Sequence, residues 1–387
     1  MKIVADRDIL DALSGFGDLG ELVLVSGRDM TANHLADAGA LVVRSITQVD
    51  EALLTGSSVR FVGTATSGVN HIDQQFLKEN GIGFVSAKGS NANAVVDYVF
   101  AALAYAVIDK SLSVQNCMVG IVGAGAVGGL LASKLEKVGI NFKLCDPPLK
   151  DKGVSSEQVY CSLEEVMQCD IVTLHVPLIH DGEYPTANLI SVQHLSLLPE
   201  NAVLINACRG GVVDEEALKT FLRDRKDIGT VFDVWQNEPL PDPGLVAAID
   251  VATPHIAGYS QEAKSAATAM MRTALADFIG GARFDHAEGV LGDKDHNPKA
   301  TVSLLERDVK NAIDSWQCIL NAMPIVDISS RFKSAVVDGE VGVFDTLRSE
   351  LKGRREFLAM KLKAQGNNAI DDSQHNFLQA VGFEFSS

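Results

Sequence analysis

Positive charge is scarce in this 387-residue chain. Its 33 lysines and arginines face 50 aspartates and glutamates, giving a formal net charge of −17. Such a surface repels phosphate backbones and anionic headgroups, so neither nucleic acid nor a membrane is an expected partner. A small anionic ligand would need a local cluster of arginines. Cysteine pairing is also missing. Cys117, Cys145, Cys161, Cys169, Cys208 and Cys318 show no CxxC spacing and sit mostly in apolar runs. Buried free thiols are therefore expected, with no disulfides and no metal site. No apolar run is long enough to cross a bilayer. The most apolar segment, 94–108, carries Asp97 and is too short, so it reads as a long buried helix. The strand-like start Met1-Lys2-Ile3-Val4-Ala5-Asp6 leaves no room for a leader, which points to the cytoplasm. Low-complexity tracts and internal sequence repeats are absent too.

What is present is apolar and periodic. The composition is 47% hydrophobic and 21% charged, enough for two or three sizeable cores. Short apolar runs at 3–5, 22–25, 41–43, 61–63 and 83–85 alternate with helix-like segments of crossover length. They predict a small parallel α/β domain. A long helix over 91–108 follows. Longer apolar runs then appear at 118–122, 142–145, 171–174, 203–206, 230–232 and 251–253, matching a doubly wound sheet. The proline-rich stretch 237–244 reads as a loop and 261–279 as a helix returning to the first domain. Residues 292–298 read as a polar linker, and the last hundred residues as a separate module containing the basic segment 348–355.

The strongest motif is Gly123-Ala124-Gly125-Ala126-Val127-Gly128, between an apolar run and a helix-like segment read over 130–138. Gly123 permits a tight turn, Gly125 lets backbone approach a pyrophosphate, and Gly128 allows close helix–strand packing. The helix N-terminus offers free N–H donors to phosphate. Asp146 closes the next apolar run, where a carboxylate accepts ribose hydroxyls and repels a 2′-phosphate. The reading is a dinucleotide site for NAD.

Three further residues follow predicted strand ends, the edge where open α/β sheets bind ligands. Arg209 offers a planar fork to a carboxylate. His255 carries an imidazole, which can take a hydroxyl proton. Glu238, in Asp233-Val234-Trp235-Gln236-Asn237-Glu238-Pro239, can orient the histidine.

Taken together, Arg209 after Asn206-Ala207-Cys208, Glu238 in its Asp-Val-x-x-x-Glu-Pro stretch and Thr253-Pro254-His255-Ile256-Ala257-Gly258 resemble the D-isomer-specific 2-hydroxyacid dehydrogenase family. Val43-Arg44-Ser45, the run 61–66, Cys145-Asp146-Pro147-Pro148 and Phe344-Asp345-x-Leu347-Arg348 extend the likeness to members acting on a small phosphorylated hydroxy acid. The resemblance implies a Rossmann-type NAD domain over 95–257 and a flavodoxin-like substrate domain over 1–94 plus 258–286. It also implies an α/β dimerisation module over 287–387, making a homodimer. Arg209, Glu238 and His255 would be catalytic. His175, Val176, Ala207, Cys208, Asp233 and Gly258 would join the glycine loop, Ala126, Val127 and Asp146 in holding NAD. Arg44, Ser45, Thr66 and Tyr259 would contact substrate, with Arg348, Arg354 and Arg355 as further phosphate candidates. Closure about a hinge near Ala94 and Ala257 would exclude water. A 3-phosphoglycerate dehydrogenase and an NAD-sensing corepressor remain alternatives.

Overall fold

The computed structural model describes residues 1–113, 116–153, 159–281, 305–309, 315–364 and 371–385. The linker expected at 292–298 lies outside them. The chain forms two compact units. One comprises Met1–Asn91 and the helix Gln261–Ile279; the other comprises Ala92–Ser260 and the described residues after 303.

The first unit is built on β1 (Lys2–Asp6), β2 (Glu21–Val25), β3 (Ala40–Val43), β4 (Phe61–Thr64) and β5 (Gly83–Ser86). All pair in parallel in the order β2-β1-β3-β4-β5, the flavodoxin-like order. Strands buried on both faces need no polar alternation, and β3 and β4 have none. Ile3, Ala5, Val42 and Phe61 face Ala267, Met271 and Leu275 of the helix Gln261–Ile279. The opposite face buries Val4, Leu41, Val43 and Val62 against Leu35, Leu53 and Leu77. The returning helix is pinned by Thr268, which donates to the Leu10 carbonyl (2.7 Å), and by Arg272 on Asp18 (2.5 and 2.7 Å).

The second unit carries β6 (Met118–Val122), β7 (Asn141–Cys145), β8 (Ile171–Leu174), β9 (Val203–Asn206), β10 (Gly229–Phe232) and β11 (Val251–Ala252). Their parallel order is β7-β6-β8-β9-β10-β11. A single parallel bridge, Tyr160 to Leu144, flanks β7, with the Cys161 N–H on the Leu144 carbonyl at 2.8 Å. Counted as a strand, it completes the doubly wound order 3-2-1-4-5-6-7, with β6 at the switch point where the crossovers change sides.

The segment read as a buried helix spans Ala92–Asp109. Contrary to the expectation that it is too short, it is long and apolar enough to cross a membrane by length and composition alone, because the helix runs 18 residues; 78% of it is buried inside the protein. Val99, Leu103 and Tyr98 meet Val119, Ile121 and Leu131 on one face of the sheet. The C-terminal residues Trp316, Ile319, Phe357, Leu378 and Phe383 belong to the same core. On the other face Phe332 and Phe344 join Leu218, Leu245 and Trp235. The C-terminal region adds its own parallel sheet of β12 (Leu305–Val309), β13 (Met360–Ala364) and β14 (Glu384–Phe385). All six cysteines are free.

Candidate active site

The glycine loop follows β6, and the helix behind it starts at Ala126, four residues before the expected 130. Gly123 has φ +92°, and a Cβ there would lie 2.5 Å from the His175 carbonyl oxygen. At Gly128 a Cβ would overlap the Gly123 carbonyl oxygen. Only glycine tolerates that conformation and that approach. Gly125, the helix N-cap, opens onto free space, and Ala126 beside it is exposed. First-turn N–H groups lack intrahelical partners, so this is a cradle that fits a pyrophosphate. Val127 is half-buried in the same turn.

Asp146 caps the helix Pro147–Asp151 by accepting the Leu149 N–H at 3.0 Å. Its other oxygen accepts the Ala124 N–H at 2.8 Å, tying the glycine loop to the end of β7. Two of about four lone-pair positions on the carboxylate are used, leaving capacity for ribose hydroxyls. His175 and Val176 leave the end of β8, with the His175 N–H on the Val122 carbonyl at 2.7 Å. His175 keeps some exposure, yet its ring is enclosed beside the Thr173 hydroxyl (3.0 Å), and burial pushes its pKa down to about 3. The imidazole is neutral at physiological pH.

The loops after β9, β10 and β11 are stitched together beyond the strands themselves. The Asp233 N–H donates to the Asn206 carbonyl (2.9 Å), and the His255 N–H to the Asp233 carbonyl (2.7 Å). The Asn206 side chain accepts the Cys208 N–H (3.2 Å) and donates to the Arg209 carbonyl (3.3 Å), shaping the turn that presents Arg209. Arg209 is half-buried, with one guanidinium N–H on the Cys208 carbonyl at 2.6 Å. Ala207 and Cys208 are buried, and burial raises the Cys208 thiol to about 11, so it stays protonated. Asn206 stood in the sequence motif, but the capping role of its side chain is visible only in the fold.

Glu238 and His255 meet. Glu238 Oε2 lies 2.6 Å from His255 Nδ1, and Oε1 accepts the Trp235 N–H at 2.9 Å. A carboxylate only accepts, so Nδ1 carries the proton in this contact, and in the neutral ring Nε2 keeps its lone pair. Both side chains keep a quarter to a third of their surface, 25% and 33%, so the pair is reachable from solvent. Trp235 anchors the loop through its indole N–H on the Thr253 carbonyl at 3.0 Å.

Asp233 is completely buried. Its carboxylate accepts the Thr253 hydroxyl (2.6 Å) and the N–H groups of Ile256 and Ala257 (both 2.8 Å), and burial raises its pKa. Its observed contacts hold the turn bearing His255 and Gly258. Tyr259 stands beside Arg348, whose guanidinium is 5.6 Å from the ring centroid, within cation–π range. In the first unit, Arg44 is paired with Asp6 (2.9 Å) and Asp8 (2.9 Å), so its charge is already balanced. Ser45 is exposed beside it. Thr66 donates to the Gly68 carbonyl (2.9 Å) and meets Thr64, which in turn meets the buried His71 (2.9 Å).

Residues 106–257 match the model of the D-isomer specific 2-hydroxyacid dehydrogenase NAD binding domain, the class that this fold and site define. The chain is 39% identical over 391 residues to an erythronate-4-phosphate dehydrogenase of Marinobacter nauticus, covering 99% of both chains. It is 46% identical over 281 residues to one of Shigella flexneri, covering 72% of this chain and 74% of that one. The chain belongs to the erythronate-4-phosphate dehydrogenase family, and NAD is its cofactor. The fold is shared with an NAD+-bound 3-phosphoglycerate dehydrogenase of Entamoeba histolytica (TM-score 0.61, 23% identity, 73% of this chain and 96% of that one). It is shared also with a D-lactate dehydrogenase of Aquifex aeolicus (TM-score 0.58, 22% identity, 73% and 96%).

Proposed function

We propose that the protein oxidises 4-phospho-D-erythronate at C2 to the 2-oxo acid, a step of pyridoxal 5′-phosphate biosynthesis in the cytoplasm. The observation that carries the reaction type is the Glu238–His255 pair, with Arg209 presented from the adjacent strand end. The substrate follows from near full-length similarity to erythronate-4-phosphate dehydrogenases.

When bound, NAD would supply the hydride acceptor that oxidation at C2 requires. The glycine loop, Ala126 and Val127 would hold its pyrophosphate and Asp146 its ribose. His175, Val176, Ala207, Cys208, Asp233 and Gly258 complete our assignment of the cofactor pocket. Arg209 grips the substrate carboxylate and polarises the C2 oxygen with a fixed fork of donors. His255 takes the C2 hydroxyl proton on Nε2. Glu238 holds the ring in that tautomer and stabilises the imidazolium that forms. Ser45, Thr66 and Tyr259 are assigned to substrate contacts. Because Arg44 already faces two carboxylates, Arg348 beside Tyr259 is the better candidate for the phosphate. The C-terminal region is assigned to homodimerisation.

The test is NADH formation by the purified protein with stoichiometric cofactor. Absorbance should rise with 4-phosphoerythronate and far less with 3-phosphoglycerate. No rise at saturating substrate, with His255→Ala indistinguishable from wild type, would sink the reading.

A further inference from the structure

The turn that bears His255 is held from two sides by two side chains, Asp233 and Arg354. His255 has φ +53°, the left-handed region, where a non-glycine residue costs of order 1–3 kcal/mol and persists only if its surroundings fix it. On the amide side, the buried Asp233 carboxylate takes the N–H groups of Ile256 and Ala257, both at 2.8 Å. On the carbonyl side, one guanidinium nitrogen of Arg354 donates to the oxygens of the same two residues, at 2.8 and 2.7 Å. The other donates to the Ala94 carbonyl at 2.7 Å, on the long core helix. Ile256 and Ala257, the two residues after His255, thus have their N–H groups on a buried carboxyl and their carbonyls on a guanidinium. The Arg354 segment is itself fixed. Glu356, two residues on, accepts the Ser260 hydroxyl at 2.6 Å, and the Phe357 N–H donates to Asp97 at 2.7 Å.

We propose that Arg354 is a positioning residue for His255, and that with Asp233 it sets the direction in which the imidazole is presented to Glu238 and to substrate. Arg354 lies about a hundred residues beyond the histidine, in the region otherwise assigned to dimerisation. A guanidinium suits the task because its donors diverge in one rigid plane and reach separate carbonyls at once, which a lysine ammonium does not reproduce. The inference rests on His255 being the acid–base group.

The experiment uses the full-length protein with Arg354→Gln and Arg354→Lys. The proton on His255 Nδ1, bonded to Glu238, should give a downfield resonance that His255→Gln removes. In Arg354→Gln that resonance should broaden or vanish. Its kcat should fall roughly tenfold to a hundredfold, the scale of a misplaced catalytic group. The fall in kcat should exceed any change in the NAD dissociation constant or substrate KM, because the guanidinium contacts seen here are to main-chain carbonyls. Arg354→Lys should fall between. A folded Arg354→Gln with kcat near wild type overturns the proposal. So does a lowered kcat with the resonance unchanged, which would place the arginine's effect elsewhere. If the glutamine variant does not fold, the lysine variant decides by the same two readings. If wild type fails to turn over 4-phosphoerythronate, the substrate assignment falls, while the resonance still tests the positioning claim.

Discussion

Glu238 Oε2 and His255 Nδ1 are 2.6 Å apart, although their loops leave different strands. Glu238 is fixed at its other oxygen by the Trp235 N–H, so the carboxylate orients the ring rather than the reverse.

Glu238→Gln should therefore keep the shape of the loop and lose the charge. An amide can donate to Nδ1 and invite the wrong tautomer, as well as failing to support an imidazolium. We expect kcat to fall by roughly 10²-fold or more, with substrate KM little changed. The thermal midpoint should move little, because the pair is partly exposed. Steady-state kinetics and a melting curve check both halves.

Gly123→Ala should weaken the cofactor site. The new methyl meets the His175 carbonyl at φ +92°, so both conformation and space oppose it. We expect NAD affinity to fall at least about tenfold and stability by about 1–3 kcal/mol. Calorimetric titration with NAD and urea unfolding report the two effects separately.

Glu215 introduces a pH dependence. It is nearly buried at the start of the helix Glu215–Asp224 and accepts the Gln236 N–H at 2.6 Å, next to the Glu238 loop. Burial pushes its pKa up from 4.5 to about 7. The folded chain thus holds a proton that the unfolded chain releases, and the stability tied to the neutral acid is lost as pH rises from about 4.5 through 7. Glu215→Gln should be more stable than wild type at pH 8, by at most about 3 kcal/mol, and should flatten this slope. Urea unfolding at pH 5.5 and pH 8 checks it; an unchanged slope contradicts it.

Lys134 ties the cofactor-domain helix Ala126–Lys137 to the chain's last turn. Its ammonium donates to the Val381 carbonyl at 2.7 Å and lies 3.7 Å from the buried Asp97, which also accepts the Phe357 N–H. Removing the ammonium takes one partner from the buried Asp97 and from the Val381 carbonyl, so Lys134→Met should cost about 1–3 kcal/mol. Asp97→Asn in that background should recover part of the loss, a coupling that a double-mutant cycle measures.

Every strand run read from the sequence of the two larger sheets is a strand, because parallel strands buried on both faces are continuous apolar words. Tyr160 escaped, since one bridge leaves no periodic signature. Part of the stretch read as a loop over 237–244 is the start of a helix, capped by Asp242 with Pro243 in its first turn. The glycine loop and the Glu238–His255 pair were legible because their spacing is local and their chemistry narrow. The grip of Asp233 and Arg354 on one turn was not. It depends on which backbone groups two distant side chains reach, and no pattern of residue types encodes that.

The shared core of the second unit bears on how the chain is made. The helix Ala92–Asp109 emerges from the ribosome early, but some of its partners, Trp316, Phe357, Leu378 and Phe383, come last. During synthesis part of that face has nothing native to cover it, a state in which exposed apolar surface invites association between nascent chains. A version shortened at its C-terminus should keep that vulnerability permanently, and would be expected to collect in inclusion bodies rather than survive as a smaller working enzyme.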